Sequence, residues 1–174
     1  MKLFKNLTCD NYTEINNQIK EYVNSTNIVE ESTKFWNLLP TIEFVKATPL
    51  FREWLNSQGL KLHSIALTVG RDAGCCKIHT DTPPAVNKLS WPIQHTQHTF
   101  NRWFRSKIEN PTIKINNLGG CSYLDISQLE EIGRMEVTTP CIINARIPHD
   151  VWFDYPGVFP RIGLQGMLMK EPIL

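Results

Sequence analysis

Apolar residues recur at helical spacing through Tyr12, Ile15, Ile19, Tyr22 and Val23, which predicts an amphipathic helix with Asp10 or Asn11 as its N-cap. Thr48-Pro49 reads as an N-cap followed by proline at the first helical position. Leu50, Phe51, Trp54 and Leu55 then form one apolar face, and Gly59 is placed to end that helix. The stretch from Phe35 to Val45 is apolar and aromatic but is interrupted at Leu39-Pro40. Beyond Gly59 the pattern changes. Leu60 to Val69, Leu89 to Ile93, Phe100 to Phe104, Ile113 to Ile115, Met135 to Val137, Cys141 to Ile147 and Arg161 to Met169 are short runs separated by Gly, Pro and Asn. Such punctuation predicts strands. Ser127-Gln128-Leu129-Glu130 is a capping-box pattern and predicts a helical turn or two. Helices between the strands are missing, so a parallel α/β sheet is excluded. The expectation is a mainly β sandwich or barrel, residues 60–174, covered by a helical N-terminal part, residues 1–59. At 174 residues, one domain is expected.

Composition narrows the function classes. Apolar residues make up 41% and charged residues 20%, the balance of a globular fold with a core of its own. The net charge is +1, which supplies no basic excess for a row of phosphates, so general nucleic-acid binding is not expected. No apolar run approaches the roughly 20 residues of a membrane span, and Met1-Lys2-Leu3-Phe4-Lys5-Asn6 lacks the apolar centre of a signal peptide. A cytoplasmic location follows as an expectation. The five cysteines, Cys9, Cys75, Cys76, Cys121 and Cys141, contain no Cys-x-x-Cys pair, so reduced thiols are expected in place of a zinc knuckle or a disulfide framework. Cys75 and Cys76 stand just before the residues with most chemical potential, where oxidation would matter.

His79-Thr80-Asp81 sets an imidazole and a carboxylate two residues apart. On extended chain, positions i and i+2 share a face, so both side chains reach one metal ion; the plain alternative is a loop histidine beside a turn-forming aspartate. His149 follows an apolar strand-like run, where an antiparallel barrel returns it towards the first pair; the alternative is a histidine at a strand end. Two histidines and one carboxylate leave the opposite face of a metal open, the coordination of non-haem Fe(II) sites that bind substrate and oxygen. Arg161 opens the strand Arg161-Ile162-Gly163-Leu164-Gln165 and shares a face with Gly163 and Gln165. A guanidinium facing the barrel interior requires an anionic partner, which a dicarboxylate supplies through a paired, charge-assisted contact. The alternative is an ordinary ion-paired or surface arginine.

His79-x-Asp81, His149 and Arg161, set in β-rich sequence, together resemble the Fe(II)- and 2-oxoglutarate-dependent dioxygenase superfamily over roughly residues 60–170. Leu89-Ser90-Trp91-Pro92-Ile93, Asn144, Pro148-His149 and Pro160-Arg161-Ile162-Gly163-Leu164 are similar to the corresponding strands of small bacterial and phage members. The resemblance implies a double-stranded β-helix, or jelly roll, of the cupin kind, with helices packed on one sheet. It implies Fe(II) on His79, Asp81 and His149, and 2-oxoglutarate as co-substrate with its far carboxylate on Arg161. Its reaction consumes oxygen, oxidises a C–H bond of a substrate the sequence does not name, and releases succinate and CO2. Many members carry Ser or Thr two residues after the arginine, where this chain has Gly163; Tyr123 or Ser90 is the substitute hydroxyl considered. Lys77 is a rival carboxylate anchor, because an unbroken strand points it to the same face as His79. Two other readings stay open: a jelly-roll binding or structural module with a vestigial metal site, and a cupin-like metalloenzyme that does not use 2-oxoglutarate. His95 and His98 are expected on a loop near the pocket mouth, and Trp91, Trp103, Trp152 and Phe153 mainly in the core. Arg102, Arg105 and Lys107 read as a solvated basic edge.

Overall fold

The computed structural model describes residues 2–72, 74–75, 77–81, 87–115, 120–153 and 158–169. The first part of the chain contains β1 (Phe4–Asn6), α1 (Tyr12–Ser25), α2 (Ile28–Glu31), β2 (Trp36–Leu39), α3 (Thr41–Ala47) and α4 (Pro49–Ser57). Strands follow: β3 (Leu62–Gly70), β4 (Gly74–Cys75), β5 (His79–Thr80), β6 (Asn87–Gln94), β7 (Thr99–Ser106), β8 (Ile113–Ile115) and β9 (Cys121–Tyr123). The chain continues through β10 (Leu129–Glu136), β11 (Cys141–Asn144), β12 (His149–Phe153) and β13 (Arg161–Leu168).

The strands form two antiparallel sheets. One has the order β1-β11-β6-β13-β3-β2; the other runs β10-β7-β12-β5-β9-β8, with β4 also beside β12. Successive strands pass back and forth between the sheets: β3, β6, β11 and β13 lie in the first, and β5, β7, β10 and β12 in the second. That winding is a jelly roll, a double-stranded β-helix, in agreement with the fold class expected from the sequence. Among the described residues, no helix is long and apolar enough to cross a membrane.

Strand alternation decides what faces the helices and what faces the space between the sheets. Ile65, Leu67 and Val69 of β3, Leu89, Trp91 and Ile93 of β6, and Ile162 and Leu164 of β13 join Ile15, Ile19, Phe44, Phe51 and Trp54 in one core. Trp91 is its centre, fully buried, with ring centroids 4.8 Å from Trp54, 5.2 Å from Phe51 and 5.3 Å from Tyr12. Asn16 tethers α1 to the strand below by donating from Nδ2 to the Ile93 carbonyl at 2.9 Å. Pro92 has no N–H for the ladder, and the β13–β6 register slips beside it, between Ile162 and Gly163. The alternate positions Lys88 and Ser90 of β6, and Arg161 and Gln165 of β13, are therefore turned towards the other sheet, and all four are buried. A second cluster of Trp103, Cys141, Ile143 and Ile147 fills one end of that space, with Phe4 stacked on Trp103.

Several local expectations are refined. The N-terminal part is not wholly helical, because β1 pairs with β11 and β2 with β3. Asn11 is the α1 N-cap, without a side-chain cap bond. Thr48 also caps no helix with its hydroxyl, which donates back to the Phe44 carbonyl at 2.8 Å. Gly59 does terminate α4: at φ +65° it lets Leu60 N–H reach the Leu55 carbonyl at 2.8 Å, closing the turn. The capping-box prediction gives only the 3₁₀ turn Ile126–Gln128, held by Asp125, whose carboxylate accepts from the Ser127 N–H at 2.9 Å. Glu130 is already in β10, paired with Arg105 at 2.7 Å.

Candidate metal centre

His79 and His149 are direct register partners in the β5–β12 pair, which sets their rings side by side with centroids 4.6 Å apart. Asp81 follows β5, and its N–H donates to the Ala145 carbonyl at 3.1 Å, tying it to the turn that leads into β12. The outcome is convergence. The ligand atoms of His79, Asp81 and His149 all lie within 4.8 Å of one another. Asp81 Oδ1 is 3.7 Å from His79 Nε2, and Asp81 Oδ2 is 3.7 Å from His149 Nε2. Neighbouring corners of an octahedron with bonds of about 2.1 Å are roughly 3 Å apart, so a small contraction brings the three onto one ion.

The hydrogen bonds of the two rings fix which nitrogen is available. His79 Nδ1 lies 2.8 Å from the Lys77 carbonyl and His149 Nδ1 lies 2.9 Å from the Ile147 carbonyl. A carbonyl only accepts, so each Nδ1 carries a proton and Nε2 is the nitrogen left to face Asp81 and to ligate a metal. Asp81 Oδ2 is buried without a hydrogen-bond partner. Two oriented imidazole Nε2 atoms and an orphaned carboxylate oxygen are the donor set of a divalent transition metal, so the residues fit such an ion.

Burial pushes the His149 imidazole down to about 4, helped by the neighbouring His79. The ring is therefore neutral, as ligation requires, and this has a stability consequence. Unfolded, the imidazole takes up a proton near 6.5; folded, it stays neutral until about pH 4. Between these values the unfolded chain holds more protons, so the stability of the metal-free protein falls as pH drops from about 6.5 to about 4, by about 3 kcal/mol. His149→Asn, which keeps a donor for the Ile147 carbonyl, is expected to flatten this slope in urea titrations with chelator at pH 4.5 and 7.0. An unchanged slope would assign the loss to other groups.

The metal group opens on a cavity of about 410 Å³ whose walls include Trp36, Lys77, Lys88, Ser122, Val151, Gln165 and Met167. A separate, narrow chamber of about 30 Å³ shares the wall residues Phe35, Val151 and Gln165 with it and is lined by Arg161. Arg161 is 2% exposed. Its Nη1 donates to the His98 carbonyl at 2.9 Å and to Thr99 Oγ1 at 2.7 Å, and its guanidinium lies 4.8 Å from the Phe153 ring centroid. Asn101, on the chamber wall and 1% exposed, has neither amide atom hydrogen-bonded.

The other sequence candidates are spread around this site. Ser90 lines the chamber. Tyr123 does not; it packs against Ile78, Phe104 and Leu129. The hydroxyl next to Gly163 belongs to Thr68, whose Oγ1 is 3.2 Å from where a Gly163 Cβ would stand. Lys77 precedes β5 and is exposed, so it lines the wider cavity but not the chamber. His95 and His98 sit at the Arg161 end, where His95 Nδ1 bonds the Pro160 carbonyl, and not beside the metal group. The basic edge is split: Arg102 is buried on Asp150, and Arg105 pairs with Glu130. Trp91 and Trp103 are core, Trp152 lies under Arg102, and Phe153 lines the chamber. Cys9, Cys121 and Cys141 are free thiols, and burial pushes Cys141 up to about 12; Cys76 lies outside the described residues.

Lys88, Asn101, Gln165 and Thr68 were not among the expected site residues. Their signal is the alternation of their strands. With Leu89, Trp91 and Ile93 on the helix side, Lys88 necessarily points inwards.

No protein-family model matches the chain, and no curated protein matches it. Among solved structures the chain is similar to E. coli ycfD, with a TM-score of 0.43 and 11% identity over 75% of this chain. It spans 31% of the length of that protein. It is also similar to AviO1 from Streptomyces viridochromogenes Tue57, with a TM-score of 0.47 and 10% identity, covering 98% of this chain and 92% of that one.

Proposed function

We propose that the protein is an Fe(II)- and 2-oxoglutarate-dependent oxygenase acting on a substrate admitted through the wider cavity. The observation that carries this reading is a pair of adjacent cavities that share Phe35, Val151 and Gln165, one walled by the three convergent donors and the other by the buried Arg161 guanidinium. His79, Asp81 and His149 would hold the iron, and Arg161 the far carboxylate of 2-oxoglutarate. Asn101, with unspent donor and acceptor capacity, and Ser90 are the polar groups that would meet the co-substrate between them. Bound together, iron and co-substrate supply the oxidising power that reaches a substrate C–H bond while 2-oxoglutarate becomes succinate and CO2. The chain's own share is to orient these groups, to keep the His149 imidazole neutral, and to line the reaction space with the apolar side chains of Val151, Met167 and Trp36. The test is anaerobic loading with Fe(II) and 2-oxoglutarate, then admission of oxygen. Succinate formed in an iron-dependent manner is the expected result.

A second reading keeps the metal and drops the co-substrate. It is favoured by the bonds Arg161 already makes to His98 and Thr99, which suit an internal strut. A metal-loaded protein that neither binds 2-oxoglutarate nor forms succinate selects that reading.

A further inference from the structure

Lys88 is the buried charge nearest the metal donors. It is 4% exposed, its Nζ donates to Asp81 Oδ1 at 2.6 Å, and it lies 4.7 Å from the Trp36 ring centroid. A buried ammonium is tolerated only beside a counter-charge, and Asp81 provides it. The pairing divides the carboxylate between two cations. Oδ1 is taken by the ammonium, while Oδ2 is left buried and unpartnered.

We propose that Lys88 is a positioning residue that holds Asp81 as a one-oxygen ligand and competes electrostatically with the metal for its charge. The inference rests on the metal-site reading above. Its consequences follow from charge and geometry. With Oδ1 occupied, Asp81 offers a single oxygen, so a coordination position that a two-oxygen carboxylate would close stays open. An ammonium flanking the same carboxylate also repels a divalent cation and attracts an anionic ligand beside it. Lys88 thus weakens metal binding and strengthens the binding of an anion to the loaded site. A lysine whose only task was to hold the fold together would do the reverse to the metal, because its loss would loosen Asp81.

The experiment is anaerobic calorimetric titration of the full chain with Co(II), then titration of the Co(II)-loaded protein with 2-oxoglutarate. Lys88→Met keeps most of the stem's apolar volume and removes the charge. It is expected to bind Co(II) about tenfold more tightly than wild type and 2-oxoglutarate about tenfold more weakly. Lys88→Arg, which retains the charge, should stay within about threefold of wild type for Co(II). If Lys88→Met lacks a cooperative melting transition, Lys88→Gln is read in its place. Unchanged or weaker Co(II) binding by a folded, uncharged variant overturns the proposal while leaving the metal site standing. Failure of the wild type itself to bind Co(II) overturns the metal-site reading, and the role of Lys88 with it.

Discussion

Replacing Arg161 with Met is expected to lower the affinity of the metal-loaded protein for 2-oxoglutarate by about 30-fold to several thousand-fold, and to leave metal affinity within about threefold. The size of the effect comes from burial. The guanidinium is 2% exposed in a chamber of about 30 Å³, so a carboxylate brought to it loses its water and regains that energy only through the charge-assisted contact. Removing one partner of such a contact costs about 2–5 kcal/mol, at about 1.4 kcal/mol per decade of affinity. Methionine fills much of the same volume beside Phe153, which limits collapse of the chamber. The metal donors are untouched, because they come from β5, β12 and the segment after β5, whereas Arg161 opens β13. Anaerobic titration of the Fe(II) form decides the matter. Wild-type binding with an unaffected Arg161→Met variant would move the carboxylate anchor elsewhere, with the exposed Lys77 the remaining candidate from the sequence. A loss of metal affinity alongside it would mean that Arg161 supports the whole site.

How much of this was legible in the sequence differs between fold and site. A mainly β sandwich or barrel was readable because the runs after Gly59 are short and separated by Gly, Pro and Asn, while the jelly roll itself came from the family resemblance; in the structure, apolar 65, 67 and 69, then 89, 91 and 93, then 162 and 164 all reach one core. The helices α1 and α4 announced themselves through period, proline at the first position and Gly59. Strands β1 and β2 were missed, since three or four residues at a sheet edge carry too little periodicity to compete with the helices around them. In the site, the i, i+2 pair and the strand-end histidine were visible locally. Their convergence was expected from the antiparallel return of the chain and from the family resemblance, but the direct pairing of His79 with His149 was not, because it depends on the β5–β12 register. Lys88, Asn101 and Thr68 escaped for a different reason. They sit inward on strands whose outward residues dominate the pattern, and a single polar residue in an apolar run looks like a flaw in the alternation until the partner sheet is known. Arg102 was misread as a solvated edge because its counter-charge lies 48 residues away on a neighbouring strand.

That counter-charge gives the second large expectation. Arg102→Met should destabilise the protein by about 3–5 kcal/mol, because it leaves the Asp150 carboxylate buried without its cation. Asp150 is 0% exposed and is the register partner of Arg102 in the β12–β7 pair. Arg102 meets it through Nε at 3.0 Å and Nη2 at 2.5 Å, and Trp152 covers the guanidinium at 4.3 Å from its ring centroid. Water is kept from Asp150 and from most of Arg102, so resolvating the remaining carboxylate requires the strand pair to open. For a chain of this length the loss corresponds to a melting temperature lower by roughly 6–20 °C. The charge itself adds little net stability, because both ions were desolvated to make the pair. Arg102→Met combined with Asp150→Leu is therefore expected to melt above the Arg102→Met single variant, the reverse of additive losses. The position of the pair links it to the candidate metal centre. Asp150 directly follows His149 on β12, so a strand freed by Arg102→Met no longer holds that imidazole against His79. Added Co(II) should then recover part of the lost stability in the single variant, since ligation restores the β5–β12 register from the other face. Thermal melts of wild type, both single variants and the double variant, each with and without Co(II), read the whole set. A double variant that melts at the sum of the two single losses would show that Asp150 contributes through its packing and not as the partner of Arg102.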